Sequence, residues 1–337
     1  MAMKTKVILL VALSSLLILS GGCNRNGKIP MPPSVGKPGE VVIIMADDLY
    51  KGAVGDTLVH YLTQDEPALP GTGMEGAEPM FDIVHLPPSG LTNMVRPARN
   101  LVIVDVNSQH TKPDIQAFKD YWSDGQILIR INAANRDQLM DLLVVNKTLL
   151  VETLRVGEVD RQAALAIKYK AEGLSEQLLK NHEIIASFPK GFQVRLDTGN
   201  FTWIHFDPAE MTLGILIWNY PYTDQSQIEY ANLLAFTDQH LKPRVPGPSK
   251  GSYMAVALNN PVLTRNLSVN GNYVVELKGL WETEGDFMGG PFISWSFIDE
   301  KRSRIATVFG YVYAPNKDKR NHVRKLEGIL KTFDFPD

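Results

Sequence analysis

The sequence predicts an α+β fold in which mostly antiparallel sheets pack against helices. Two observations support this class. Short apolar runs typical of strands occur in both halves of the 337-residue chain, and apolar residues at helical spacing cluster near its middle. Hydrophobic residues make up 44% of the chain and charged residues 21%, which excludes disordered and collagen-like proteins.

The N-terminal half of the body, residues 40–185, begins with a β-branched run at 40–46 that predicts a buried strand. Apolar residues at helical spacing follow in residues 52–64. From Leu139 to Leu178 they recur every three or four positions, which predicts a long central helical pair, or one kinked helix, broken near Gly157. Apolar runs predict three further strands, at residues 80–86, 101–106 and 126–132.

The C-terminal half, residues 186–337, is rich in strand-like runs and contains two amphipathic segments, at residues 225–241 and 317–333. Three times in the chain an apolar strand leads through an Asn- or Pro-bearing loop and an Asp into a helix. An internal duplication of an α+β unit is therefore one hypothesis; the alternative is a common local arrangement met three times. Strands are expected at residues 192–196, 201–206, 213–218, 252–258, 273–280, 292–298 and 305–313.

Residues 1–22 are typical of a secretory signal peptide. Lys4 and Lys6 precede an apolar run at residues 7–19, which is too short to span a bilayer. Small residues then lead to Cys23, the only cysteine of the chain. This arrangement resembles the lipobox of bacterial lipoproteins, although Leu19 lies four positions before the cysteine rather than three. The resemblance implies that Cys23 is acylated and becomes the first mature residue; the alternative is an ordinary signal with an incidental cysteine.

Residues 23–39 contain several Pro and Gly residues and predict an extended tether between Cys23 and the body. Two acyl chains on Cys23 would anchor the protein stably in a membrane. The chain therefore divides into a signal peptide (1–22), a lipidated cysteine with its tether (23–39) and the two α+β halves (40–185 and 186–337).

Composition also limits the function. The formal net charge is −3, which gives no general basic field and argues against a nucleic-acid partner. One cysteine excludes intramolecular disulfides and Cys-rich metal sites. The seven histidines are scattered without a metal-binding motif, so we predict neither a metal nor a cofactor.

The most distinctive run is WETEGDFMGGPF at residues 281–292, followed by FGYVYAP at 309–315 and by Lys319, Arg320 and Arg324. In this order the motifs resemble domain-of-unknown-function family 4837, a family of Bacteroidetes envelope lipoproteins, over nearly all of the mature chain. The resemblance implies a lipid-anchored envelope protein without implying an activity. Surface-exported lipoproteins of Bacteroidetes tend to carry an acidic cluster after the cysteine. Its absence here favours an outer-membrane protein facing the periplasm.

The run at 281–292 has two interpretations. One is a tight connection between strands, with Trp281, Phe287 and Phe292 in the core. The other is a rigid loop that presents acidic side chains to a ligand or partner. The candidate binding residues of this run are Glu282, Glu284, Asp286, Gly289 and Gly290.

Residues 317–331 carry a surplus of basic side chains. Arg320 and Arg324 lie one helical turn apart, so they form either a solvated basic face or a site for an anionic ligand. Together with the acidic loop they are a candidate single site.

The sequence contains no nucleophile–base motif such as G-x-S-x-G. We therefore expect a non-catalytic, lipid-anchored envelope protein that binds an envelope partner or an anionic ligand. The alternative is a periplasmic hydrolase that acts on an envelope component, with a site assembled from residues distant in the sequence.

Overall fold

The computed structural model describes residues 30–69 and 77–337. The predicted signal peptide and Cys23 lie outside this range. The first sheet has five strands in the order β2-β1-β3-β5-β4. Its strands are β1 (Glu40–Ile44), β2 (Asp82–Leu86), β3 (Asn100–Val106), β4 (Asp114–Lys119) and β5 (Ile127–Ala133).

This first sheet is mainly parallel: only β4 runs antiparallel to its neighbour, β5. Parallel strands are covered on both faces, which explains why β1, β3 and β5 read as continuous apolar runs. Val41 and Ile43 of β1 point to one core, and Val42 and Ile44 point to the other.

Seven helices accompany the two sheets in the described residues. They are α1 (Asp47–Tyr50), α2 (Ala53–Leu62), α3 (Arg136–Val145), α4 (Lys147–Lys168), α5 (Glu172–His182), α6 (Tyr230–Leu241) and α7 (Arg320–Leu330).

The long central helical pair is in fact three helices, α3, α4 and α5. The first break falls at Asn146 and not at Gly157. The backbone N–H and the side-chain amide of Asn146 both donate to the Leu142 carbonyl. Gly157 lies inside α4. A Cβ at this position would come within 2.3 Å of the Ile127 side chain. The glycine thus permits close packing of the helix on β5 and does not end it.

The second sheet is antiparallel and supports the predicted α+β class. Its order is β10-β11-β12-β13-β8-β7-β6, with β9 paired to β11. One face packs on α5 and α7, and the opposite face packs on α6. The strands are β6 (Gln193–Asp197), β7 (Phe201–Phe206), β8 (Thr212–Pro221), β9 (Tyr253–Val256), β10 (Leu263–Val269), β11 (Asn272–Glu284), β12 (Gly289–Asp299) and β13 (Arg304–Tyr313).

The two sheets differ in strand direction and order, so the topology does not support an internal duplication. Leu174 and Leu178 of α5, which the sequence analysis placed in the N-terminal half, pack in the core of the second sheet together with Ala166 of α4.

Part of the predicted tether belongs to the folded body. The backbone of Ser34 donates to Asp124, Val35 donates to Pro97, and Gly39 donates to the buried Glu158 carboxylate at 3.1 Å. These backbone hydrogen bonds hold residues 33–39 against the first half. Within the predicted segment 23–39, a free tether could therefore extend only up to residue 32.

Helices α4 and α7 join the two halves through a buried ion cluster. Glu327 of α7 accepts hydrogen bonds from Arg155 of α4 at 2.7 Å and from Lys278 of β11 at 3.0 Å. Gly328 allows the helices to approach closely, since a Cβ there would lie 2.4 Å from the Cβ of Gln162.

Candidate functional site

The acidic run forms a β-hairpin in which β11 and β12 are joined by residues 285–288, here called the hairpin loop. Gly285 has a φ of +81°, the left-handed conformation that glycine adopts at low cost. The Thr283 N–H donates to the Met288 carbonyl at 2.8 Å, and the Asp286 N–H donates to the Thr283 carbonyl at 3.1 Å. The Ser249 hydroxyl donates to the Asp286 carboxylate from a separate loop. The hairpin loop is therefore held in one conformation.

The side chain that this loop presents is Phe287, which is 93% exposed. Trp281 and Phe292 are buried as the tight-turn interpretation expected, but its placement of Phe287 in the core is wrong. The reason is register: Phe287 lies in the hairpin loop, beyond the paired residues Glu282 and Gly289. An exposed phenylalanine on a loop that is fixed by hydrogen bonds differs from the polar residues that most hairpin loops carry.

The three candidate carboxylates of the hairpin have different surroundings. Glu282 is half-buried, and burial raises its pKa, with a further rise caused by the Glu284 and Asp238 carboxylates. Glu284 is exposed. Asp286 is bound to its own loop, and the Ser249 hydroxyl together with the Phe287 N–H holds its pKa below the ordinary value.

Gly289 and Gly290 lie in β12, where neither has a positive φ. A Cβ on Gly290 would come within 2.1 Å of the Val312 carbonyl oxygen, and one on Gly289 would lie 3.0 Å from the Trp281 carbonyl oxygen. Close packing on the neighbouring strand thus explains Gly290. Gly289 lacks such a severe clash and lies at the surface of a cavity.

This cavity, here called the hairpin cleft, has a volume of about 680 Å³. The hairpin forms one wall, and the segment from β13 to α7 forms the opposite wall. Its lining combines an apolar floor with polar side chains. The residues are Ala77, Glu78, Ala257, Asn260, Leu280, Trp281, Glu282, Phe287, Met288, Gly289, Gly290, Tyr313, Pro315, Asn316, Lys317, Asp318 and Lys319.

A second cavity of about 310 Å³ adjoins the hairpin cleft and shares Trp281, Met288 and Tyr313 with it. Trp203 and Tyr311 also line this cavity, and the Trp203 indole N–H donates to the Tyr311 hydroxyl at 3.1 Å. The two cavities, which share these three lining residues, are together called the groove.

The prediction that Arg320 and Arg324 form a solvated basic face or an anion site is wrong, because both side chains turn inward. Arg320 is 7% exposed and binds the Asp82 carboxylate at 2.7 Å. Arg324 is 2% exposed and binds the buried Glu66 carboxylate at 3.0 Å and the Met80 carbonyl at 2.6 Å. These arginines hold α7 of the second half against the first half.

The residues just before Arg320, and not the arginines, line the hairpin cleft. The Lys317 side chain binds Glu210 at 2.8 Å, and the Lys319 side chain donates to the Lys317 carbonyl at 3.0 Å. The Glu78 carboxylate accepts hydrogen bonds from the backbone N–H groups of Lys319 and Arg320 and so caps the start of α7. Residues 315–319, and not the predicted Arg320 and Arg324, therefore line the cleft together with residues of the hairpin.

Sequence reasoning missed Phe287, Glu78 and Tyr313 as residues of the site. For Phe287 a signal existed: the Gly-Asp pair before it is typical of a turn, where a large apolar side chain has no core to enter. Glu78 lies far from α7 in sequence, so no local pattern could assign its contact.

Two classes of feature are absent from residues 30–69 and 77–337. No group of three His, Cys, Asp or Glu side chains is placed to hold a metal ion. No helix in these ranges is long and apolar enough to cross a membrane.

The fold and the groove define an α+β protein with a candidate binding cleft. Two different family models match two separate parts of the chain. Residues 172–332 match DUF4837, a domain of unknown function, which confirms the family resemblance over a shorter stretch than expected. Residues 34–166 match a different domain of unknown function, DUF8532. The gap between the two matches coincides with the junction of α4 and α5.

Three solved structures share weak similarity with part of the chain. LpqN of Mycobacterium tuberculosis, described as involved in cell envelope biogenesis, is 12% identical, with 45% of this chain and 83% of LpqN covered and a TM-score of 0.29. A Mog1 mutant is 11% identical, with coverages of 46% and 92% and a TM-score of 0.28. PA94 of Pseudomonas aeruginosa, of unknown function, is 12% identical, with coverages of 46% and 93% and a TM-score of 0.26. No curated protein matches the chain. TM-scores this low carry no functional argument.

Proposed function

We propose that this protein is a lipid-anchored, non-catalytic envelope protein that binds a protein partner through the hairpin loop and the hairpin cleft. The observation that carries the proposal is the 93% exposure of Phe287 on a loop fixed by hydrogen bonds at both ends. Aromatic side chains held in place lose little entropy on binding and dominate many interfaces.

The anchor in this proposal is Cys23, placed in the outer membrane with the body in the periplasm. The assignment of Cys23 as the anchor is supported by Lys4, Lys6, the apolar run at 7–19 and the small residues before the cysteine. We expect Cys23→Ser to move the protein from the membrane pellet to the soluble periplasmic fraction, because the acyl chains would be lost. A variant that still sediments with membranes would contradict the anchor.

We expect Phe287→Ser to leave the melting temperature unchanged and to abolish co-purification of the partner from detergent-solubilised envelopes. An exposed side chain contributes little to folding, usually within about 0.5 kcal/mol. A buried aromatic anchor in an interface contributes about 2 kcal/mol or more to binding.

Met94→Ser is the matched control, since Met94 is 85% exposed and lies in the first half, between β2 and β3. It should retain the partner. If both variants retain the same partner at wild-type levels, the hairpin loop is not the binding site.

One observation favours the alternative, a periplasmic hydrolase acting on an envelope component. Glu282 is a half-buried carboxyl in a cleft, and its raised pKa is a property that general acids share. Turnover of an envelope component by the purified protein, lost in Glu282→Gln, would support the hydrolase over the binding protein.

A further inference from the structure

The second cavity differs from the hairpin cleft in its charge. Acidic and basic side chains line the cleft together, whereas Arg195 is the only charged residue among the described residues that line the second cavity. The Arg195 side chain forms neither an ion pair nor a hydrogen bond with the part of the chain that the structure describes. Asp207 acts electrostatically on the same region, but its carboxylate binds His205 at 2.5 Å and does not line the cavity. The lining therefore carries one positive charge and no negative charge.

The guanidinium of Arg195 is positioned by an indole ring. Its central carbon lies over the Trp203 ring, 4.4 Å from the ring centre. This contact uses the π-face of the ring and none of the guanidinium N–H groups, so these donors remain available. An arginine with free N–H groups binds a carboxylate through two parallel hydrogen bonds. Arg195 is thus a suitable partner for an anionic group.

A buried hydroxyl supplies a second donor to the same cavity. Tyr311 is 4% exposed, and its oxygen accepts a hydrogen bond from the Trp203 indole N–H at 3.1 Å. Within the described residues its own O–H has no acceptor, and a buried donor without an acceptor costs free energy. Burial raises the pKa of Tyr311 above its ordinary value, so the hydroxyl keeps its proton at neutral pH. An oxygen atom of a ligand would satisfy this donor.

Most of the remaining lining is apolar. Val245, Met254, Met288 and the buried Trp281 indole supply much of this surface, and flexible methionine side chains adapt readily to different apolar groups. The cavity volume of about 310 Å³ lies near the lower limit of ligand cavities in proteins, about 300 Å³. The cavity therefore suits a small molecule with an apolar body.

We propose that the second cavity binds a small monocarboxylate with an apolar body. Arg195 and the Tyr311 hydroxyl hold the carboxylate, and the apolar body packs on Met254 and Met288. A phosphate monoester matches the cavity less well, because its charge of about −1.5 to −2 exceeds the charge of one arginine. The inference does not depend on the proposed partner, since Phe287 lines the hairpin cleft and not the second cavity.

Isothermal titration calorimetry of the full-length protein in detergent tests this site, with octanoate as the probe and a blank titration into detergent buffer. We expect octanoate to bind with a Kd below about 100 μM. Acetate lacks the apolar body, octylamine carries the opposite charge, and octyl phosphate carries a larger negative charge. Acetate and octylamine should bind at least about tenfold more weakly than octanoate, and octyl phosphate should also bind more weakly.

Two variants locate the carboxylate. Arg195→Gln should weaken octanoate binding by about tenfold or more and leave the melting temperature unchanged, because the side chain is exposed. Tyr311→Phe should weaken octanoate binding by about three- to tenfold, because the buried donor is lost. If Tyr311→Phe does not fold, Arg195→Gln decides the test alone.

Arg96→Gln is the matched control. Arg96 is also exposed, and its guanidinium lies 5.7 Å from the centre of the Trp122 ring, but it lines neither cavity of the groove. This variant should bind octanoate like the wild type.

Four results would overturn the inference. They are no octanoate binding at about 1 mM, binding of any of the other three ligands as tight as that of octanoate, unchanged octanoate binding in Arg195→Gln, and an equal loss in Arg96→Gln. Phe287→Ser separates this inference from the proposed function, since it should lose the protein partner and retain octanoate. Loss of octanoate in Phe287→Ser would place the ligand in the hairpin cleft and refute this site. Retention of the partner would instead refute the proposed function.

Discussion

Glu327→Ala is expected to lower the free energy of unfolding by about 3–5 kcal/mol, because it removes one partner of a buried ion cluster. Glu327 is 3% exposed, and its two oxygens are bound by Arg155 and Lys278, which are both 4% exposed. The variant would remove the carboxylate between these two buried cations and leave Arg155 with Glu152 at 3.0 Å and Lys278 with Glu276 at 3.7 Å. Urea denaturation of the wild type and the variant measures the loss.

The same cluster predicts how stability depends on pH. Burial alone would raise the pKa of Glu327, but the Lys278 and Arg155 cations lower it well below its ordinary value. A depressed carboxyl pKa stabilises the folded state above the unfolded-state pKa of about 4.3, and this contribution is lost as the pH falls further. Glu327→Gln should flatten this acid-side decline. A loss below about 1 kcal/mol in Glu327→Ala would contradict the assigned role of the cluster.

Arg324→Ala is expected to destabilise the protein by a similar amount, about 3–5 kcal/mol. It would leave Glu66, which is 1% exposed, as an uncompensated buried charge, and it would remove the guanidinium that lies 4.8 Å from the Phe81 ring centre. Thermal unfolding and urea denaturation would both report the loss.

The control for Arg324 is a double variant, Arg324→Met with Glu66→Gln, which removes both charges. It should recover part of the loss, since replacing both members of a buried pair costs less than breaking it. Arg324 also has two buried nitrogens, Nε and Nη1, without a partner in the described residues, which reduces what the native pair contributes. If Arg324→Ala has the melting temperature of the wild type but no longer binds an anionic ligand, the structural role assigned to Arg324 is wrong.

Most strands of the fold could be predicted from the sequence because their apolar residues are buried in regular patterns. The two strands that were missed, β4 and β10, lie at sheet edges and carry mainly exposed or half-exposed side chains. Their sequences therefore lack the apolar signal on which the prediction depends. Strand direction in the first sheet was also missed, since it depends on connections and not on local composition.

For the candidate site, the sequence indicated the hairpin through its Gly and acidic residues, but it indicated Arg320 and Arg324 in place of residues 315–319, which line the cleft. The inward turn of Arg320 and Arg324 was not predictable, because their carboxylate partners lie 238 and 258 residues away in sequence. Long-range ion pairs of this kind leave no periodic pattern.

The most direct test of the proposed binding site is photo-crosslinking in intact cells, with benzoylphenylalanine in place of Phe287 and, in a parallel strain, of Met94. The binding account predicts one discrete crosslinked protein from position 287 and none from position 94. An anchored and folded protein that gives no product from position 287, or the same product from both positions, would contradict the claim that the hairpin loop contacts a partner.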